Sequence, residues 1–345
     1  MKPASRAATR WLTSDQLRSV VPLVALASLV TMFAVAGWLL DRGRFFTPGN
    51  AALIISNSSF VTIGALGMML IIAVGGIDLS AGAMLGFCTA VLAVLLRLYG
   101  AAPGETIPLL PTLFFVLVAI LAGAACGAVN GTLISTFRLA PFIVTLGAMA
   151  MLIGTALILT NETTVTPRGI PTWLRELVSH GKFQLWIGFV PLVPLGIALE
   201  LALAAGLAIL LRKMVFGRHL LAIGANEMAA RLCGIRVTLI RIAVYTLGGA
   251  LFGLAGVYQF ALVRNYTANT GVGRELDIIA AVVIGGGSLR GGRASVIGTL
   301  VGSLLMAVIR SGCTQLSVPN AYQQIIIGSI IIAAVLFDRA AGRGD

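Results

Sequence analysis

The chain is poor in charge. Only 10% of its 345 residues are Asp, Glu, Lys or Arg, against about 25% in an ordinary soluble domain. No stretch is long and polar enough to build a soluble catalytic domain. Histidine occurs twice, at His180 and His219, without a nucleophilic or metal-binding partner in sequence. The four cysteines, Cys88, Cys126, Cys233 and Cys313, lie too far apart for metal-ligand spacing, so no metal site is expected. There is no GxxxxGK[ST] phosphate loop, no HExxH and no GxSxG. That removes an ATPase, a zinc hydrolase and a serine hydrolase of the usual construction. Glu275 and Asp277 in GVGRELD could pair as acids, but beside Arg274 a local ion pair or helix cap is the simpler reading.

What the chain has is apolar residues, at 58%. A helix needs roughly twenty of them in a row to cross the hydrocarbon core. Candidate spans are 20–40, 53–74, 80–97, 111–134, 140–160, 184–211, 240–260, 278–289, 294–311 and 322–337. The eighth, IIAAVVIGGGSL, is short enough to be a broken or re-entrant element. The expected fold class is an all-α polytopic membrane protein with about ten transmembrane helices. The first span lacks a small-residue cleavage signal, so it reads as an uncleaved helix.

The net charge of +12 does not point to nucleic acid, because the basic residues sit in short gaps between apolar runs. With the N-terminus inside and all ten spans crossing, fifteen of the 24 basic residues fall in the cytoplasm and nine outside. That bias favours both termini inside. The expected organisation is a cytoplasmic tail at 1–19, a membrane domain at 20–338 with a cytoplasmic loop at 212–239, and a second tail at 339–345. Residues 161–183 mix charges with prolines and suit an outward loop carrying a small surface helix. The 212–239 loop is basic and contains NEMAARLCG, a short helix that Asn226 could cap. It could press against a cytoplasmic partner, or lie solvated on anionic membrane lipid.

Polar residues within spans are costly in hydrocarbon. Asn57, Ser58 and Ser59 open the second span, Asn130 closes the fourth, and Glu200 sits in the sixth. Gln259 closes the seventh, and Tyr322, Gln323 and Gln324 open the tenth. Each could serve helix packing alone. Together, Asn57, Ser58, Asn130, Gln259 and Gln323 could line a path for a polar solute. Glu200 would need a partner or a proton, and none is evident from sequence. The 41 glycines recur at spacings that let helices approach closely, as in GGALFGLAG at 248–256 and GTLVG at 298–302.

One stretch stands apart: GGIDLSAG at 75–82, between two apolar runs. Gly75 and Gly76 permit a tight path, and Asp78 or Ser80 can satisfy free N–H groups where span three begins. These four residues form a candidate cap or gate hinge, with ion binding at Asp78 as the alternative. GGGSLRGG at 285–292 echoes the stretch at an offset of 210, in the manner of a parallel repeat. Transport of a small solute fits these features better than an enzyme or a simple anchor. The energy source stays open between an ion gradient, with Asp78 or Glu200 as carrier, and a borrowed ATPase acting on the 212–239 loop. A membrane scaffold is a third reading.

Four pieces in order then carry a resemblance: GGIDLSAG at 75–82, APFIVTLGAMAMLIG at 140–154, FGRHLLAIGANEMAARLCGIRV at 216–237, and GVGRELDIIAAVVIGGGSLRGGRASVIGTLVG at 271–302. Over about residues 50–338 the chain resembles the permease subunit of bacterial ribose-type sugar ABC importers, within the branched-chain amino acid/ribose permease superfamily. The resemblance implies a vitamin B12 importer-like fold, a multi-pass place in the bacterial inner membrane and no catalysis by this chain. It implies a second permease subunit, identical or related, and two ABC ATPase subunits or a fused tandem ATPase holding ATP and Mg. It also implies a periplasmic sugar-binding protein. An ATPase-coupling role carries to Gly217, Ala225, Asn226, Glu227, Ala229, Ala230 and Gly234, with Glu227 facing a basic ATPase surface. Ala225 and Cys233 depart mildly from the commonest wording, where glycine and serine are frequent.

Overall fold

A computed structural model describes residues 14–40, 45, 47–102, 104–178, 184–187 and 190–341. Most of the N-terminal tail, the last four residues and His180 lie outside the described residues. The elements in chain order are α1 (Ser14–Leu39), α2 (Pro48–Ala73), α3 (Ala81–Tyr99), α4 (Leu109–Thr136), α5 (Pro141–Thr160) and α6 (Thr172–Arg175). Then come β1 (Gln184–Ile187), β2 (Val190–Pro194), α7 (Leu195–Lys213), α8 (Val215–Ala225) and α9 (Glu227–Leu232). The chain closes with α10 (Val237–Val263), α11 (Arg274–Ile284), α12 (Val296–Gln315) and α13 (Asn320–Ala341).

Among the described residues, eight helices are long and apolar enough to cross a bilayer: α1 to α5, α7, α10 and α12. Their surfaces are inverted relative to a soluble protein. The α4 window of highest hydropathy is only 17% buried. It exposes Leu110, Phe114, Leu117 and Leu121, a face that is stable only against lipid. The α2 window, by contrast, is 89% buried. This central helix starts where sequence chemistry dictates: Pro48 stands in its first turn and Thr47 accepts a 3.1 Å hydrogen bond from Asn50 N.

One expected span is corrected, and another is as short as its sequence suggests. The sixth, 184–211, does not begin as helix, because β1 and β2 pair antiparallel before α7 starts at Leu195. Pro191 and Pro194 stand within the second strand, and proline cannot supply the N–H groups a helix interior needs. Among the described residues, this hairpin and an isolated bridge between Val165 and Tyr266 are the β-pairing in an otherwise helical fold. The eighth, 278–289, maps onto α11, which has 11 residues. At about 1.5 Å per residue it reaches roughly half the hydrocarbon thickness, and Gly285–Gly287 turn the chain out of it.

Glycine sets the closest packing. Gly123 and Gly127 of α4 meet Gly249 and Gly253 of α10 with backbone against backbone. Hydroxyls inside the bundle bond back to their own helix, as Thr62 does to Ser58 O at 3.0 Å. Thr62 also ties α2 to α12 through Ser303 at 2.8 Å. These hydroxyls are thus satisfied where water is scarce.

Candidate translocation path and coupling surface

The five candidate path residues separate into two groups. Asn57, Gln259 and Gln323 come together from α2, α10 and α13 and line one cavity of about 520 Å³. Gln323 Nε2 donates to Val318 O at 3.0 Å, while Gln259 Oε1 has no hydrogen-bond partner among the described residues. Ser58 is buried and donates to Ile55 O at 2.8 Å, a back-bond within its helix. Asn130 lies elsewhere, beside Asp78.

The wall of that cavity holds a cluster that sequence reading only half found. Arg274 bonds Asp277 at 3.2 Å, one helical turn away. Arg310, from α12, grips the same carboxylate with two bonds of 2.9 and 2.8 Å. The Arg274 guanidinium also stands 5.1 Å over the Phe60 ring. The Arg274–Asp277 spacing is visible in GVGRELD. Arg310, 33 positions on, left no signal, because it meets Asp277 only through the packing of α11 on α12. Six amide-bearing and two hydroxyl-bearing side chains beside these charges would suit a polyhydroxylated solute, since each can donate or accept.

Glu200, on α7, is buried, and the Ser59 and Thr62 hydroxyls of α2 lie beside it. Its Oε2 has no partner among the described residues. It does not line the cavity that holds Gln259.

GGIDLSAG is the break between α2 and α3. Gly75 takes φ +85, which its missing Cβ allows. Asp78 is fully buried. Its Oδ1 accepts from both the backbone N–H and the hydroxyl of Ser80, and its Oδ2 accepts from Asn130 Nδ2 at 3.5 Å. Asn130 also donates to Ser80 Oγ at 3.1 Å. Ser80 holds the N-cap position of α3, yet its side chain accepts no cap hydrogen bond from the helix. Asp78 therefore closes a local turn rather than capping α3 directly.

The echo of this break, GGGSLRGG, separates α11 from α12. The two breaks touch: the Gly291 backbone packs on Gly75 Cα, and Gly292 N donates to Ala73 O at 2.9 Å. The end of α8 fills the same junction. A Cβ on Gly224 would overlap Ala73 O and Gly292 N, and Ala225 lies against Gly292.

The 212–239 loop is α8 and α9 with their turns. Gly217 packs its α8 backbone on Leu210 and Leu211 of α7. Asn226 caps α9, accepting from Ala229 N at 3.0 Å. Ala230 is buried, and Gly234 ends the helix at φ +80. Both Glu227 oxygens are bonded within the chain, although the side chain stays 41% exposed. Oε1 accepts from Arg231 and Oε2 from Arg241, each at 2.7 Å. The Arg241 hydrogen bond, and then Arg231, hold its carboxyl below the usual range.

The geometry is that of a membrane bundle with an amphipathic loop packed on two glycine breaks. Residues 50–335 match the family model of the branched-chain amino acid transport system permease component. The chain belongs to this family. It is 35% identical to the ribose import permease protein RbsC of Escherichia coli strain K12 over 334 residues, 95% of this chain and 96% of that one. It is 33% identical to the L-arabinose ABC transporter permease protein AraH of Azospirillum brasilense, covering 92% and 88% of the two chains. The galactose/methyl galactoside import permease protein MglC of Escherichia coli strain K12 is 34% identical, covering 90% and 92%. No solved structure matches the permease.

Proposed function

We propose that this permease is the membrane subunit of an ATP-driven importer of a monosaccharide or related small polar solute. The observation that carries the reading is similarity along nearly the whole chain to import permeases for ribose, arabinose and galactose. A periplasmic binding protein would deliver the solute, and separate cytoplasmic ATPase subunits would hold ATP and Mg. A second permease subunit would complete the pathway.

The short α11 supports a broken eighth crossing. Gly271 before it packs on Gly82 and Gly86 of α3, and Gly292 after it bonds the end of α2. Flanks and helix together would pass the membrane once, giving ten crossings, both termini in the cytoplasm and a vitamin B12 importer-like fold in the inner membrane. Gly217, Ala225, Asn226, Glu227, Ala229, Ala230 and Gly234 would form the docking surface for the ATPase. Gly75, Gly76, Asp78 and Ser80 would act as the hinge of an inner gate. Asn57, Gln259 and Gln323 would touch the solute in transit, with Asn130 bracing the hinge instead.

In the working cycle, ATP draws the ATPase subunits together and displaces α8 and α9. The glycine junction passes that motion to the breaks after α2 and α11, changing which side of the permease is open. The test is uptake by the reconstituted complex across a panel of monosaccharides. ATP-dependent uptake of at least one is expected. Uptake by this chain alone, driven by an ion gradient, would overturn the reading in favour of a secondary transporter.

A further inference from the structure

The cavity that holds Asn57, Gln259 and Gln323 is charged as well as polar. Its charged lining is Arg274, Arg310 and Asp277, an excess of one positive charge. Asp277 is fully buried, and both its oxygens are taken by the two arginines. The arginines themselves stay about a third exposed. A guanidinium carries more N–H donors than it spends on one carboxylate. Neither arginine bonds any other acceptor among the described residues. Glu275, next in sequence to Arg274, serves another surface. Its carboxylate lies against Gly82 of α3, and it lines a different cavity.

This face borders water rather than lipid. Asn57 is exposed about 2.5 turns inside α2, where an amide against hydrocarbon is costly. In the ten-crossing reading the cavity opens at the outer end of the bundle, where solute arrives. Its groups are also set in advance. Arg310 grips Asp277 with two bonds, and Arg274 stacks over Phe60. Ser311 donates to Asn50 Oδ1 at 3.1 Å, and Gln323 is held by Val318 O. A shell ordered before its ligand arrives favours selective binding over passive passage.

An excess of one positive charge calls for a ligand with one negative charge. A carboxylate supplies it and matches the guanidinium fork. A phosphate monoester brings about 1.5 to 2 negative charges at neutral pH and overshoots. The amides and hydroxyls around the arginines complete the set, because each can read a sugar hydroxyl. The volume of about 520 Å³ lies in the range of small-molecule sites. We propose that this cavity binds a monosaccharide bearing one carboxylate, such as a uronic acid, and that Arg274 and Arg310 select it over a neutral sugar. Import of such an acid rests on the importer reading; its binding does not.

The test is isothermal titration of the full-length permease with galacturonate and glucuronate, with galactose and glucose, and with the methyl esters of both acids. Glucose 6-phosphate is the phosphate arm. At least one acid should bind tenfold tighter than its neutral parent, and its uncharged ester no tighter than that parent. Arg310→Gln leaves Asp277 on Arg274 and the cavity neutral, so it should erase the preference. Arg274→Gln should do the same with Asp277 left on Arg310. Arg310→Lys keeps the charge and should keep most of the preference, a rescue that a merely structural role would not give. Absence of acid binding, equal affinity for acids and neutral sugars, or a preference shared by the esters overturns the site. So does a preference that survives in both glutamine variants. Tighter binding of glucose 6-phosphate overturns the carboxylate. In proteoliposomes of the assembled complex, ATP-driven uptake of a uronic acid is expected. ATP-driven uptake of neutral sugars only overturns the acid as solute and leaves the importer reading standing. No ATP-driven uptake of any sugar, with the titration positive, overturns the importer reading and leaves the binding site standing.

Discussion

Glu227, on the six-residue helix α9, holds Arg241 of α10 at 2.7 Å. The bond crosses from the surface loop to a helix that runs the depth of the bundle. Arg241→Gln should therefore separate stability from coupling. The pair is partly exposed, so its loss costs only about 0.5–1 kcal/mol and the protein should insert and melt nearly as wild type. ATP-driven uptake should fall about tenfold while the ATPase keeps turning over. Wild-type uptake per ATP in Arg241→Gln would remove the bond from the coupling route.

Acid should undo the same bond in a defined direction. The folded carboxyl of Glu227 is held below its unfolded value of about 4.3 by Arg241 and Arg231. Its stabilisation is thus complete above about pH 4.3 and lost as pH falls through the lower folded value. Protection of the α9 amides, corrected for the intrinsic pH dependence of exchange, should be flat across neutral pH and fall only below that limit. A fall near pH 6 would assign the sensitivity to another group.

Gly224 and Gly234 offer a matched pair of alanine substitutions. At Gly234 the added methyl meets nothing within 4 Å, and only the left-handed backbone resists it, by about 1–2 kcal/mol. At Gly224 it collides with the backbone of both breaks. Gly224→Ala should abolish uptake, whereas Gly234→Ala should keep most of it at matched expression. Equal activities would show that the junction does not have to stay closed.

Asp78 receives three hydrogen bonds and gives none. Asp78→Ala orphans the Ser80 and Asn130 donors, at about 1–3 kcal/mol for each buried group, and uptake should drop more than tenfold. Asparagine retains an acceptor for Ser80, and Asn130 can turn its amide to present oxygen to the new NH₂. Asp78→Asn should keep at least half of uptake. Loss of uptake in a well-inserted Asp78→Asn protein would make the charge, rather than the turn, the functional element.

Asp277 neutralises two arginines. Asp277→Asn leaves Arg274 and Arg310 facing each other, which should lower stability by about 2–3 kcal/mol, because both arginines are about a third exposed. Adding Arg310→Gln should recover part of that loss by removing the repulsion. Detergent melting of the single and double variants measures both, and a double variant less stable than the single would refute the account.

The sequence discloses what depends on near neighbours. Long apolar runs announced most helices, Asn226 announced its own cap, and Arg274 lies within one turn of Asp277. The short α11 was legible as a break because its apolar run is cut by three glycines. What stayed hidden depends on packing across distance. Asn130 reaches Asp78 from 52 positions away and Arg310 reaches Asp277 from 33. Tyr245 and Ser135 read as ordinary helix residues until the fold buries their hydroxyls without a hydrogen-bond partner among the described residues. The late start of α7 was obscured because valine, leucine and proline in 190–194 are as apolar as a span.

The junction of Gly224, Ala73 and Gly292 is built from main chain alone. Side chains absorb small displacements by changing rotamer, as a cushion yields before the frame behind it moves. Here there is no cushion. A shift at the end of α8 therefore presses directly on the ends of two other segments, as one knuckle bone bears on its neighbours.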